Sequence, residues 1–241
     1  PRSRRTWRHI LHLSLLQTIL QYIFFYIGLA HTTGVKGSII GASNAFAALL
    51  VAALLFRQET LTGRKLLGCV LGFSGVVLVN LGQGGLDGTF QITGEGFVFL
   101  SSIADAFSSV FLKRYSAEDD PVLLSGWQFA VGGAVMMAGS LLCGVRIAPL
   151  APPAGLMLLY LACISAVAYS LWGILLKYNP VSRVTLFSFM TPVFGAALSA
   201  LLLREGAQLL GWTTLAALAL VCAGIWAVNA APRKNLSSGR K

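Results

Sequence analysis

Apolar residues along this chain fall into eight long runs, read approximately as Ile10–Ala30, Gly37–Phe56, Leu61–Leu81, Gly94–Leu112, Val122–Cys143, Gly155–Leu176, Val184–Leu203 and Leu209–Ala230. Short loops carrying charge, glycine or proline separate them. A hydrocarbon core about 30 Å thick is crossed by roughly 20 apolar residues of helix, and each run has about that length. The runs show no dyad alternation of the barrel kind, and backbone polar groups in lipid must be paired within the segment, so helices are predicted. The fold class is all-α: a polytopic transmembrane helix bundle of about eight helices.

Composition strengthens this reading. Hydrophobic residues make up 56% of the 241-residue chain and charged residues only 11%, with a mean hydropathy of +0.76. A soluble domain carries about a quarter of its residues as charged side chains. The lipid bilayer is therefore the first partner that the chain implies.

A formal charge of +10 would suggest nucleic acid in a soluble protein, but its distribution points elsewhere. With the N-terminus inside, Arg2, Arg4, Arg5, Arg8, Arg57, Arg64, Lys65, Lys113, Arg114, Lys177, Arg183, Arg233, Lys234, Arg240 and Lys241 share one side. Only Lys36, Arg146 and Arg204 fall on the other, fifteen against three. That is the positive-inside bias of short loops. It predicts a multi-pass protein of the plasma (inner) membrane with both termini cytoplasmic, and no nucleic-acid partner. The first run is too long for a removable signal peptide and lacks a small-residue cleavage site. Cys69, Cys143, Cys163 and Cys222 lie in or at the ends of apolar runs, with neither a disulfide framework nor metal-ligand spacing.

The glycine-rich stretch Gly82–Thr93 (GQGGLDGTFQIT) divides three helices from five. It predicts an N-terminal partial repeat over residues 1–81, a linker loop over 82–93, and a C-terminal repeat with a basic tail over 94–241. Val35–Glu59 (VKGSIIGASNAFAALLVAALLFRQE) lies over Val181–Glu205 (VSRVTLFSFMTPVFGAALSALLLRE) without a gap. Upstream, QYIFFYIGL matches AYSLWGILL with Tyr22 over Tyr169. Downstream, FSGVVLVN (Phe73–Asn80) matches CAGIWAVN (Cys222–Asn229). Glu59 ends its run inside and Glu205 ends the equivalent run outside, so the repeats are inverted, a construction that secondary transporters use for alternating access.

These features resemble the EamA branch of the drug/metabolite transporter superfamily, carried here by Thr191-Pro192-Val193-Phe194 and Arg204-Glu205. Phe46 stands where the second half has Pro192, which predicts a proline kink in the second half only. The resemblance implies ten helices in two sets of five, of which this chain supplies three and five. The two expected before Ile10 are absent, and PRSRRTWRH then reads as the cytoplasmic loop that would follow them in a longer protein.

Polar residues within the spans are the candidate site. Asp105 is a carboxylate well inside a span, where a charge costs at least about 2.5–3.5 kcal/mol and marks a cavity, a partner or a proton relay. It reads as a substrate-amine contact or proton switch, against an Asp held by Ser101, Ser102, Ser108 or Ser109 for packing. Gln17 and Gln21 stand one turn apart with Tyr22 and Tyr26 beside them, and Asn44 and Gln128 should also face the interior. Each reads equally as an interhelical hydrogen bond worth about 0.6–2 kcal/mol. Tyr169 and Trp172 form an aromatic wall or ordinary packing. Pro192 removes a backbone hydrogen bond and serves as the hinge, with Thr191 lining the path beside it.

His9 and His12 lack a third ligand, so no metal is expected, and the spacing of Gly68 and Gly72 predicts close helix packing. The chain has no GxxxxGK[ST], HExxH or nucleophile elbow, so neither cofactor nor enzyme activity is expected. The reading is a secondary transporter of small-molecule substrates, by resemblance an exporter of small metabolites such as amino acids, with proton coupling through Asp105. The alternatives are a truncated or accessory bundle without independent transport and, less favoured, an intramembrane enzyme.

Overall fold

The computed structural model describes residues 3–32, 34–81, 91–145, 151–191, 194 and 212–229. All regular structure among them is helical. The helices are α1 (Arg4–Ala30), α2 (Lys36–Leu55), α3 (Gly63–Leu81), α4 (Ile92–Tyr115), α5 (Pro121–Leu142), α6 (Pro152–Tyr178), α7 (Val181–Thr185, continuing as a 3-10 turn over Leu186–Phe189) and α8 (Trp212–Asn229). Five of them, α1, α2, α4, α5 and α6, are long and apolar enough to cross a membrane. The protein is an all-α transmembrane bundle.

The ends follow local chemistry. Ser3 accepts from the Arg5 N–H and caps α1, so the arginine-rich start is helical from Arg4 and is not the loop its charge suggested. Arginine is a good helix former, and a capped start lets it extend the first turn. Asp120 caps α5 through the Leu123 N–H, with Pro121 pre-set in the first turn. At the end of α2, Arg57 takes a left-handed φ of 51°.

Two helices depart from α geometry where the site forms. α1 widens into i→i+5 turns over Ser14–Leu20, the kind of local insertion often found at functional positions. α2 breaks between Gly41 and Asn44, its first segment ending at Gly41 and its second starting at Asn44. No proline stands there. By the repeat register, Ala42 and Ser43 correspond to Ser188 and Phe189, within the 3-10 turn of α7, so both halves leave the α conformation at equivalent places. The first half thus leaves the α conformation without a proline, and the expectation that proline kinks the second half alone is untouched by this. Such backbone persists at membrane depth only when protein buries it or it lines a cavity. Pro192 itself lies outside the described residues, as do residues 82–90 of the predicted linker and Glu205.

The relation between the halves is written in the packing of α3 on α8. A Cβ on Gly68 would meet the Gly224 carbonyl at 2.7 Å, and one on Gly75 would meet the Ala217 carbonyl at 2.8 Å. In the repeat register Gly68 corresponds to Ala217 and Gly75 to Gly224, so each contact is the other with its partners exchanged. Moving up α3 means moving down α8. Equivalent helices therefore pack antiparallel about an approximate twofold axis, which is the inverted repeat. Backbones this close exclude every side chain larger than hydrogen at Gly68 and Gly224, the reason small residues serve at such crossings.

Apolar packing continues in two clusters. One joins α3, α7 and α8 through Cys69, Val76, Leu186, Phe189, Ala217 and Val221. The other gathers Ile10, Leu13, Ala48, Val110, Leu124 and Leu176 near the basic end. Of α6 only Gly173 and Leu176 are buried; its remaining surface, rich in exposed Leu, Ile and Val, suits acyl chains.

Candidate functional site

Side chains from α1, α2, α4 and α5 meet at one polar cluster. Asn44, the first residue after the break in α2, donates its Nδ2 to Asp105 Oδ2 on α4 at 2.5 Å. Gln17, in the widened turn of α1, faces the same carboxylate. Its Oε1 accepts from Gln128 Nε2 of α5 at 2.7 Å. Gln17 and Gln128 are almost wholly buried, while Asp105 keeps partial access. Two amides from two helices thus face one acid, and a third from α5 holds one of them in place, as befits a carboxylate within a span.

Aromatic residues flank the cluster. The hydroxyls of Tyr22 (α1) and Tyr169 (α6) are 2.9 Å apart, and the Asp105 charge is within electrostatic reach of both. Phe129 of α5 leans on Tyr169 with ring centroids 4.4 Å apart and on Tyr22 at 6.5 Å.

Several buried polar atoms here have no hydrogen-bond partner among the described residues: Gln17 Nε2, Gln21 Oε1, Ser43 Oγ, Asn44 Oδ1, Ser109 Oγ and Gln128 Oε1. Unmet buried polar atoms each cost about 1–3 kcal/mol. Ordered water or a polar ligand is what ordinarily satisfies such atoms.

Of the residues singled out from sequence, Asn44, Asp105, Gln128, Tyr22 and Tyr169 come together, and Gln21 sits a turn above Gln17. Ser108 donates to the backbone carbonyl of Asp105 at 2.8 Å and its hydroxyl also faces the carboxylate, so Asp105 is held both by Asn44 of α2 and by a serine of its own helix. Trp172 joins the apolar cluster near the basic end, one turn away from Tyr169. Thr191 is exposed and lines an apolar cavity of about 650 Å³ with Phe187, Met190, Cys222, Ile225 and Trp226. Gln17, singled out with Gln21, pins Gln128 and turns toward Asp105, and Phe129 joins the cluster without having been singled out from the sequence. Gln17 had a readable signal in its spacing from Gln21. Phe129, one of fourteen phenylalanines, had none.

Each end of the bundle is tied. At the basic end, the Glu59 carboxylate accepts from the Ser182 N–H at 3.0 Å, from the Ser182 hydroxyl and from Lys65 at 2.7 Å, which links the halves. Burial pushes the Glu59 carboxyl up, but the bonds from Lys65 and Ser182 outweigh it and leave its pKa below the ordinary value. Lys113 caps α6 by donating to the carbonyls of Leu176 at 2.9 Å and Asn179 at 2.5 Å. Asp119 holds His9 at 2.7 Å and Thr6 at 2.8 Å; the gain from these partners exceeds the cost of burial and lowers its pKa. Trp7 and Trp127 meet edge-on at 5.2 Å at the same level, as interface aromatics do. At the opposite end Glu95 pairs with Lys36 at 3.2 Å and accepts from Thr32 at 2.9 Å.

Known proteins supply the context for this geometry. The model of the EamA-like transporter family matches residues 1–81 and 92–230. An uncharacterized transporter of Synechocystis is 26% identical over 232 residues, covering 90% of this chain and 70% of its own length. A chloroplastic WAT1-related protein of Arabidopsis thaliana is 26% identical over 92% of this chain, which spans 56% of that protein. An uncharacterized transporter of Archaeoglobus fulgidus is 28% identical over 84% of this chain and 70% of its own length. A crystal structure aligns with a TM-score of 0.74 over 95% of this chain and 79% of that one, at 18% identity, a likeness of fold.

Proposed function

Because the chain belongs to the EamA-like transporter family, we propose that it is a secondary transporter exporting small polar metabolites, amine-bearing ones such as amino acids among them, by alternating access. The observation that carries this reading is the hydrogen bond between Asn44 and Asp105, formed at a break in one helix and enclosed by amides from two others. Broken helices near the midplane of inverted repeats are where transporters of this construction bind their cargo. Asp105 contacts the substrate and exchanges a proton with it, Gln17, Gln21, Asn44 and Gln128 orient it, and Tyr22 and Tyr169 close the site where the halves meet. Pro192 is the hinge of the second half, and Thr191 lines the path beside it. The bias of fifteen basic residues against three supports a plasma-membrane orientation with both termini in the cytoplasm. Residues 82–93 link the two repeats.

The test is transport in proteoliposomes under an imposed pH gradient, using labelled amino acids. Wild type is expected to accumulate label in response to the gradient, and Asp105→Asn to lose that dependence. Gradient-driven transport unchanged in Asp105→Asn would overturn the assignment of Asp105.

A further inference from the structure

Away from the polar cluster, at the basic end of the bundle, a cavity of about 650 Å³ opens between α1 and the end of α4, lined among the described residues by Arg5, Arg8, His9, Leu11, His12 and Tyr115. Arg5, Arg8 and His12 follow one another at steps of three and four with His9 beside them, so α1 puts them on one stripe. A charge bias that only sets orientation needs basic residues near a helix end and no particular geometry. Here the geometry is fixed. His9 gives Nδ1 to Asp119 at 2.7 Å and stacks on the Tyr115 ring with centroids 3.9 Å apart. His12 meets the Tyr115 hydroxyl through Nδ1 at 2.7 Å and lies edge-on to Phe111 at 4.5 Å.

The carboxylates at this end are already engaged, and neither lines the cavity. Glu118 accepts from Arg5 at 2.7 Å, and Asp119 from His9 and Thr6. Arg8 has no ion pair among the described residues. With each Nδ1 spent on a protein partner, Nε2 of both imidazoles is left for another bond, and an imidazolium donates from both nitrogens. One free guanidinium fork, a second arginine whose exposed pair with Glu118 is weak, and two ring nitrogens make a donor set for a phosphate group.

The depth of the cavity identifies the source of that phosphate. Trp7, between Arg5 and Arg8 on α1, meets Trp127 of α5 edge-on at 5.2 Å. Both are exposed, as aromatic residues are at headgroup depth. Leu11 on the lining is exposed as well and continues it toward acyl chains. Basic pockets between helices at this depth take anionic headgroups. We infer that the cavity between α1 and the end of α4 binds the phosphate of an anionic phospholipid from the leaflet at the basic end. Arg8 supplies the free charge, and Arg5, His9 and His12 orient the headgroup. A bound lipid bridges α1 and α4, the helices that carry Gln17 and Asp105.

The experiment is thermal unfolding of the purified full chain in detergent, titrated with dioleoylphosphatidylglycerol, dioleoylphosphatidylcholine or soluble glycerol phosphate. The anionic lipid is expected to raise the unfolding midpoint saturably, and the other two to leave it unchanged. Arg8→Gln should weaken the apparent affinity for the anionic lipid at least about tenfold, the scale of one lost charge-assisted bond, with Arg8→Lys falling between. Arg183→Gln removes the same charge from the basic end outside the cavity and should leave the affinity unchanged. Arg8 is exposed, so its variants should match wild type in midpoint without lipid. Equal weakening in Arg8→Gln and Arg183→Gln would reduce the effect to surface charge and overturn the cavity. An equal response to the zwitterionic lipid, or no response to either lipid, would overturn the ligand class. A response to glycerol phosphate matching that to the anionic lipid would overturn the lipid as the source.

Discussion

Tyr22 and Tyr169 occupy equivalent positions in the two halves, and their hydroxyls are bonded to each other at 2.9 Å. A residue that meets its own repeat mate lies at the axis relating the halves. The symmetric exchange of Gly68 and Gly75 contacts on α8 places the same axis along the bundle from an independent set of atoms. Either tyrosine changed to phenylalanine strands the other hydroxyl in a half-buried setting, so Tyr22→Phe and Tyr169→Phe should each destabilise by about 1–3 kcal/mol. The double variant should cost less than the sum of the two. Unfolding of the four proteins in a double-mutant cycle checks this, and strict additivity would deny the bond.

Packing of α3 on α8 leaves no room for a methyl group. A Cβ at Gly224 would stand 2.6 Å from the Gly68 carbonyl and 2.9 Å from the Gly72 nitrogen, both rigid backbone atoms. Gly224→Ala is expected to destabilise by about 1–3 kcal/mol through forced separation of the helices. Gly133→Ala, where a Cβ meets nothing within 4 Å, should be near neutral. Denaturant titration in mixed micelles compares them.

Glu59 gives the basic end its pH sensitivity. Its folded pKa is below the unfolded value, so the folded state binds this proton less readily than the unfolded chain. The stabilisation is complete above the unfolded pKa and disappears as pH falls through the folded one. Unfolding midpoints measured downward from neutral pH should therefore decline through the acid range more steeply in wild type than in Glu59→Gln. The variant should be less stable at neutral pH. Parallel curves would show that the Ser182 and Lys65 contacts contribute nothing.

Much of this was legible in the sequence because membrane proteins expose their constraints. Twenty-residue apolar runs and a lone mid-span aspartate each report a large solvation energy, and the described helices appear where the apolar runs place them, the seventh run lying largely outside the described residues. The internal register also paired Tyr22 with Tyr169 before any coordinates. What sequence did not show was backbone detail. Neither the widened turns over Ser14–Leu20 nor the break before Asn44 has a proline to announce it. Trp172 and Tyr169 looked alike on a helix face, but a single turn of rise sends one into the apolar cluster and the other to the axis.

Asn44 holds the acid and the break together. Asn44→Ala removes the donor at 2.5 Å and leaves a charge with poorer solvation, so the loss should be about 1.5–3 kcal/mol, the range for bonds to charged groups. Asn44→Ala combined with Asp105→Ala should recover part of it. Thermal unfolding of the single and double variants reads the difference.

The most direct measurement asks whether this cluster opens to water on both sides. In a background with Cys69, Cys143, Cys163 and Cys222 replaced, Asp105→Cys is treated with a membrane-impermeant thiol reagent in right-side-out and in inside-out vesicles. Leu158→Cys on the exposed face of α6 serves as the lipid-facing control. Alternating access predicts modification at position 105 from either side, with the control reacting only with a lipid-permeant reagent. Modification at 105 from neither side, or by the permeant reagent alone, would contradict the account.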